Sequence, residues 1–403
     1  MHRAMPGVAS VSSTRKEVKV LDQAQIDRLR QTDAGEFPVL SVYVNLEPGP
    51  DSLRTLPPRI KDLLAQVEIS SESLPRPQRL SIREDVRALS RDVGRFGTDL
   101  GHGVAIFLSS GAGIDEQFAL PGPVRDRAIV DAGPYTRPLE AMIEHYQSYC
   151  VTVIGRRIGS IFRFSMDQLD TWEEMRDEEI RKANYGGFSG YEEQRVRARA
   201  EEMAARHYRH VAERLAELRR TDGGFDLLIV GGSDVHVAGL LDVLPPDVAA
   251  VMAGTFVVDP GTMTPATVLE HARRVAAEWE VEEERRLVAD LFDAAASGGT
   301  AILGLEEACV AVNRRAVEVL YIQAERTTPG SVCLECERVT CETGSVCAIC
   351  GGELSAVPDV VDRLSELVRS TGGRVRHILN EGPLAEVEAG ALLRYVSPMV
   401  DPT

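Results

Sequence analysis

Two Cys-x-x-Cys pairs lie close together in the last third of this chain, Cys333 with Cys336 and Cys347 with Cys350, with ten residues between them. Each pair can form a knuckle in which two thiolates face one point while backbone amides turn toward sulfur. Two knuckles complete the tetrahedron that zinc accepts. Four cysteine ligands close the coordination sphere, so the expected zinc is structural rather than catalytic. Free or redox-active thiols are the alternative. A disulfide framework needs an oxidising compartment, and Met1 to Ser13 lacks the apolar core of a secretory signal. No run of ~18 apolar residues suits a membrane span either, so the cytoplasm is the expected location. Cys341, within the same segment, is a spare or competing ligand, whereas Cys150 and Cys309 fall in apolar patterns that read as core.

A chain of 403 residues is long enough for two to three domains, each with its own core. With 44% hydrophobic and 27% charged residues it is composed like a folded protein rather than a disordered one. The formal net charge of -17 repels phosphates over the surface as a whole, which counts against indiscriminate nucleic-acid binding.

Patterning predicts three mixed α/β domains, a multi-domain α/β chain. Residues 1–15 read as a disordered leader. In the first domain, 1–146, a short helix at 21–29 precedes a strand at 39–46, a turn-rich stretch at 49–58, and helices at 60–67 and 81–93 flanking a loop at 70–77. A buried strand at 104–109 and extended chain at 118–130 follow. The central domain, 147–265, opens with a hairpin, 150–154 and 160–164, about Gly155-Arg156-Arg157-Ile158-Gly159. Beyond an acidic stretch come the loop Asn184-Tyr185-Gly186-Gly187-Phe188-Ser189-Gly190 and a polar helix over 191–220. A strand at 225–230, a helix at 235–241 and a strand ending at Val257-Val258 complete it. A long helix over 265–296, with proline in its first turn and Gly298-Gly299 after its end, bridges into the last domain, 266–403. There helix 305–313, strand 317–323, helix 358–370 and strands 375–379 and 391–395 alternate as in an α/β/α sandwich. The cysteine segment is inserted in that sandwich as a zinc-ribbon mini-domain, 331–356.

On its own, Gly186-Gly187-Phe188 is a flexible turn before a helix. Its surroundings say more: Arg181-Lys182-Ala183-Asn184-Tyr185 leads into it, and the helix after it carries Arg195, Arg197, Arg199, Arg206, His207, Tyr208 and Arg209. This order closely resembles the central domain of the archaeal and eukaryotic class I peptide chain release factors, in which a basic stretch leads into Gly-Gly-Gln and a long Arg-rich helix. Gly231-Gly232-Ser233 and Val237-Ala238-Gly239-Leu240 look like that domain's second half. Gly304-Leu305-Glu306-Glu307-Ala308, Arg315-Ala316-Val317-Glu318-Val319-Leu320 and Gly390-Ala391-Leu392-Leu393-Arg394-Tyr395 resemble the third domain. The resemblance spans roughly residues 145–400 and extends to Pelota, the ribosome-rescue paralogue, and to divergent bacterial members such as the hibernation factor Balon.

The resemblance implies a ribosome-associated translation factor whose loop enters the peptidyl-transferase centre, with ribosomal RNA and peptidyl-tRNA as partners and a translational GTPase docking on the third domain. In the release factors the two glycines give the loop backbone its freedom. The third residue's N–H can donate to the oxyanion formed as water attacks the peptidyl-tRNA ester, and the Gln side chain positions that water. Here Phe188 keeps the N–H and lacks the carboxamide, a loss of about ten- to a thousand-fold if that group acts in the transition state. A non-enzymatic factor is therefore expected; peptidyl-tRNA ester hydrolysis is the one activity the loop could retain.

The family's Asn-Ile-Lys-Ser and Tyr-x-Cys-x-x-x-Phe codon-reading segments have no counterpart around 70–80 or 128–139, so stop-codon decoding is not expected. Arg181, Lys182, Arg195, Arg197 and Arg199, against Glu192 and Glu193, make the loop and helix start locally basic, suited to RNA phosphates, and Tyr185 can stack on a base. For Arg206, Arg209 and Arg214 a solvated face with ion pairs is the alternative, and His207 and His210 read as helix-surface residues. Three functions stay open: a non-decoding A-site factor in rescue or hibernation, an active codon-independent peptidyl-tRNA hydrolase, and an interaction protein that keeps the fold away from the ribosome.

Overall fold

Val39–Asn45 and Gly103–Ser109 are apolar along nearly their whole length, and such strands need cover on both faces. In the computed structural model, which describes residues 19–46, 52–93, 102–145, 148–165, 168–176, 191–221, 224–298 and 300–395, they receive it. The leader predicted at 1–15 lies outside the described residues. The chain divides into two compact units, one made of residues 1–140 with 327–335 and 343–362, the other of 141–326 with 336–342 and 363–403.

The first unit runs β1 (Lys19–Val20), α1 (Gln23–Arg30), β2 (Val39–Asn45), α2 (Ser52–Ser70), α3 (Arg76–Asp92), β3 (Gly103–Ser109), β4 (Ile114–Leu120), β5 (Arg127–Asp131) and the start of α4 (Arg137–His145). Its sheet has the order β1-β4-β3-β2-β5, antiparallel except for β1 against β4. Leu40, Val42, Val44, Val104 and Ile106 pack on one face against Leu56, Ile60, Leu64, Ile82 and Val86 of the two long helices. The other face is aromatic, with Tyr43 edge-on to Phe107 at 5.9 Å and to Tyr135 at 6.3 Å.

Two predicted loops are shorter than expected. Helix α2 already begins at Ser52 and carries Pro57 and Pro58 inside it. Their fixed φ suits a helix, but each loses its N–H bond to the preceding turn and crowds the carbonyl four residues back; both lie in the first two turns, and Leu56 and Ile60 beside them are buried. Likewise α3 starts at Arg76 with Pro77 in its first turn, where the missing N–H would have had no partner.

The second unit continues with β6 (Tyr149–Ile154), β7 (Ile158–Ser165), β8 (Gln168–Arg176), α5 (Tyr191–Arg220), β9 (Leu227–Gly232), α6 (Asp234–Leu241), α7 (Pro246–Ala249), β10 (Met252–Val257), α8 (Pro265–Ala296), β11 (Ala301–Leu303), α9 (Leu305–Asn313) and β12 (Val317–Gln323). After β13 (Gly330–Cys333), β14 (Val339–Thr340) and β15 (Leu354–Val357) the chain forms α10 (Val360–Ser370), β16 (Arg374–Ile378), α11 (Pro383–Val387) and β17 (Ala389–Leu393).

The central sheet has the order β10-β9-β6-β7-β8, with β10, β9 and β6 parallel. Successive side chains alternate between faces: Cys150, Leu228 and Val230 meet Tyr208, Val211 and Leu215 of α5, while Val151, Val153 and Ile229 meet Val268, Ala272 and Val275 of α8. Strand β8 was not expected from its acidic sequence; it is an edge strand, where charge on the open face is tolerated, and its Trp172 stacks on Phe162 at 6.0 Å. Farther along, Val288 and Leu291 of α8 pack with Val319, Tyr321 and Ile378 of a second sheet, ordered β11-β17-β12-β16. One helix thus serves two cores. Its start is fixed by a Thr264–Thr267 capping box with Pro265 behind it. Strands β13 and β15 pair antiparallel and carry the cysteine segment.

Candidate functional site

The glycine loop is framed by β8 and α5. Gly186, Gly187, Phe188, Arg181, Lys182 and Tyr185 lie outside the described residues, as do the side chains of Arg195 and Arg197 on the first turns of α5. Arg199 is exposed on that helix. Farther along, Arg214 is held by Glu173 of β8 at 2.8 Å and by Glu217 at 3.0 Å, the ion-paired alternative. The body of α5 is anchored at a tight polar crossing. A Cβ added to Gly239 of α6 would stand 2.4 Å from the Tyr208 ring, so only glycine lets the helices approach this closely. There the Tyr208 hydroxyl lies 2.7 Å from His236 Nδ1. Burial and the nearby Arg156 push the His236 imidazole below its ordinary value. His207, expected on the helix surface, is instead buried at 1% exposure. It falls three and four positions from Ala204 and Val211, on the stripe that faces the sheet, so helical periodicity already carried this signal. His210 is exposed as expected.

The four paired cysteines do come together. The Sγ atoms of Cys333, Cys336, Cys347 and Cys350 all lie within 4.8 Å of one another, an arrangement that could hold a metal ion. The two knuckles match in detail. In each, the first cysteine is buried and the second exposed. The residue after the second cysteine takes positive φ in both, Glu337 at 57° and Gly351 at 74°. For Gly351 this is free, whereas a Glu there costs about 1–2 kcal/mol, a strain that repeats the turn of the other knuckle. The Gly352 N–H points at Cys350 Sγ at 3.4 Å, as a knuckle amide stabilising a thiolate does. Cys341 is not in this group; its sulfur lies 3.0 Å from that of Cys309.

Several charged clusters have partners too distant in sequence to be foreseen. In the first unit Arg137 and Asp359, both fully buried, pair at 3.3 Å beside the Tyr135 hydroxyl. Burial lowers the pKa of the guanidinium, but Tyr135, Asp359 and Asp362 more than reverse this and hold it above the ordinary value. In the second unit Glu144 accepts from His377 Nδ1 at 2.8 Å and from Arg376 at 3.0 Å. Burial works to raise its pKa, and these bonds more than reverse that, leaving the carboxylate below its usual range. Glu284 of α8, also buried, accepts from the Leu379 and Asn380 backbone at 3.0 and 2.9 Å.

Residues 134–277 match the model of a family described as bacterial archaeo-eukaryotic release factor family 10, just over a third of the chain. The matched stretch contains the whole hairpin, glycine loop, basic helix and parallel-sheet half described above. The chain resembles a divergent bacterial member of the release-factor and Pelota group. Among curated proteins, none matches the release-factor-like chain. Solved structures similar to it include an archaeal translation termination factor, aRF1, at 16% identity over 93% of this chain and 99% of that one, with a TM-score of 0.26. The termination-like factor Dom34 of S. cerevisiae, described as interacting with Hbs1, is 9% identical over 75% and 81%, with a TM-score of 0.41. An archaeal Pelota, described with ABCE1 on the ribosome, is 16% identical over 73% and 77%, with a TM-score of 0.39. At such scores the weight rests on the family match. No described helix is long and apolar enough to cross a membrane.

Proposed function

We propose that this chain is a ribosome-associated factor that occupies the A site without decoding a stop codon, in rescue or hibernation, with Gly186-Gly187-Phe188 at the peptidyl-transferase centre. The observation that carries this reading is the family match across residues 134–277, which takes in the loop and the helix that presents it. Release-factor chemistry asks a third loop residue for two things, a backbone donor to the oxyanion and a side chain that positions water. Phe188 supplies the first and not the second, so the loop fills its place with little or no ester hydrolysis. Arg181, Lys182, Arg195, Arg197 and Arg199 are the phosphate contacts, a locally basic set on an acidic protein, and Tyr185 is a stacking contact. From the resemblance of Gly304-Leu305-Glu306-Glu307-Ala308 and Arg315-Ala316-Val317-Glu318-Val319-Leu320 to the third domain of the release factors, a translational GTPase of elongation-factor type is the partner of the C-terminal sheet domain, and the location is cytoplasmic.

Zinc is the metal proposed for Cys333, Cys336, Cys347 and Cys350. Thiolates at about 2.3 Å from a tetrahedral ion stand about 3.8 Å apart; the observed limit of 4.8 Å, with 3.4 Å between Cys333 and Cys350, fits that figure. Four thiolates leave no open position, so the role is to fold the ribbon.

Co-sedimentation with 70S ribosomes tests the reading. Binding at low salt, weakened by Gly186→Ala and by added salt, is expected, and absence of binding at low salt overturns it. On stalled complexes the wild type should release no labelled peptide, and Phe188→Gln should create release. Equal release by both would establish a working hydrolase instead.

A further inference from the structure

We infer that Cys309 and Cys341 form a redox-modification site, a dithiol that a hydroperoxide converts to a disulfide joining the ribbon insert to α9. The two sulfurs lie 3.0 Å apart, though the residues are thirty-two positions apart in sequence. Closing to a bond of about 2.05 Å needs a shift of only about half an ångström from each sulfur.

The approach is built by the fold. Cys309 is buried on α9, and Asn313, one turn farther on, binds the ribbon as a strand would: its Nδ2 donates to Val339 O at 2.7 Å and its Oδ1 accepts from Val339 N at 2.9 Å. The same Nδ2 donates to Cys309 O at 2.7 Å, so one amide holds both cysteine-bearing segments. Cys341 follows Val339 by two residues and is partly exposed, open to a small oxidant, while Cys309 waits behind it. The S–H of Cys309 donating to Cys341 lowers the Cys341 thiol below its ordinary value, against burial and the pull of Glu306, Glu388 and Glu307. Cys309 is correspondingly raised.

This division of labour gives a balanced reaction. The Cys341 thiolate attacks the peroxide O–O bond, taking one oxygen as sulfenic acid while the other leaves as alcohol or water. Cys309 then attacks the Cys341 sulfur, expelling the oxygen as water as its own proton is lost. Two thiols lose two electrons and two protons, and the peroxide is reduced by two electrons. None of the four ribbon ligands takes part, and the pair is distinct from them in position.

The test treats the full chain, as purified, with one equivalent of hydrogen peroxide, blocks free thiols, and digests with trypsin and a glutamate-specific protease. These enzymes release Cys309 within residues 308–314 and Cys341 within 339–342, apart from Cys347 and Cys350. The expected product is those two peptides joined, 2 Da lighter than their sum and separated by dithiothreitol, with no metal released to a chromogenic chelator. With one equivalent of peroxide Cys309→Ser should leave Cys341 as a sulfenic acid trapped by dimedone, and a second equivalent should carry it on to sulfinic acid. Asn313→Ala should slow disulfide formation at least several-fold with the secondary structure retained. Cross-links from Cys341 to a ribbon ligand, metal release in step with oxidation, or the same Cys341 product with and without Cys309 would each overturn the assignment.

Discussion

Asp359→Asn keeps the shape of the side chain, removes its charge and turns one of its two acceptor oxygens into an amide donor, which makes it a severe probe of the buried pair in the first unit. Asp359 Oδ2 accepts from the Tyr135 hydroxyl at 2.7 Å and faces Arg137 Nε at 3.3 Å, and its Oδ1 accepts from the Thr328 and Val361 amides at 3.2 Å each. Asparagine keeps one acceptor oxygen, enough for the Thr328 and Val361 amides that cap α10. Its amide nitrogen then faces the Tyr135 hydroxyl and Arg137 Nε as a donor, so the loss includes those contacts as well as the charge. At 3.3 Å the Coulomb attraction is about 5 kcal/mol with an effective dielectric of ~20. Neutralising one side of a buried pair typically costs about 3–5 kcal/mol, because the other charge stays buried. Asp362 also supports Arg137, which places the expected loss near the lower end, about 3 kcal/mol. That is a large fraction of a domain's stability of about 5–15 kcal/mol. Both tryptophans, Trp172 and Trp279, belong to the second unit and would miss the change. Amide exchange of β2 and β3, read by mass spectrometry, is the suitable assay. Arg137→Met in the Asp359→Asn background should restore part of the loss, so the double variant is more stable than the sum of the singles predicts. Strictly additive effects, or a loss below about 1 kcal/mol for Asp359→Asn, would refute a charged pair.

Three further outcomes follow from other parts of the fold. Chelation should speed amide exchange across residues 331–356 while the central sheet and α5 stay protected; global unfolding would contradict a ribbon-confined metal. Glu144→Gln should cost about 1–3 kcal/mol at neutral pH, since it loses charged hydrogen bonds to His377 and Arg376. Its folded pKa lies below the unfolded value of ~4.3, so the wild-type contribution is complete above that pH and fades as pH falls through the lower folded value. The two proteins' stabilities, followed by denaturant melts from pH 7 to pH 3, should therefore converge on the acid side, and a constant gap would show that the carboxylate's charge is not what matters.

What was legible in the sequence was what chain spacing alone dictates. Helices Tyr191–Arg220 and Pro265–Ala296 begin and end where expected, the second because Pro265 opens it and Gly298 follows it. The knuckles were legible because a Cys-x-x-Cys turn brings its sulfurs together locally, and the structure adds the matching backbone at Glu337 and Gly351. Strand β8 was hidden because an edge strand need not look apolar, whereas the burial of His207 was carried by the helical period, three positions from Ala204 and four from Val211. The ion pairs were hidden for a different reason. Arg137 meets a carboxylate 222 positions away and Glu144 a histidine 233 positions away, and no local pattern announces either. Cys341 shows the same limit: counted along the chain it belongs with the ribbon ligands, yet Asn313 draws its segment to α9. Spacing names the chemistry available to a residue, and long-range packing chooses its partner. The glycine loop is the converse case. On the proposed reading its backbone donor would be common to any residue but proline at position 188, so what the sequence decides there is the side chain alone, and a phenylalanine brings no carboxamide to position water.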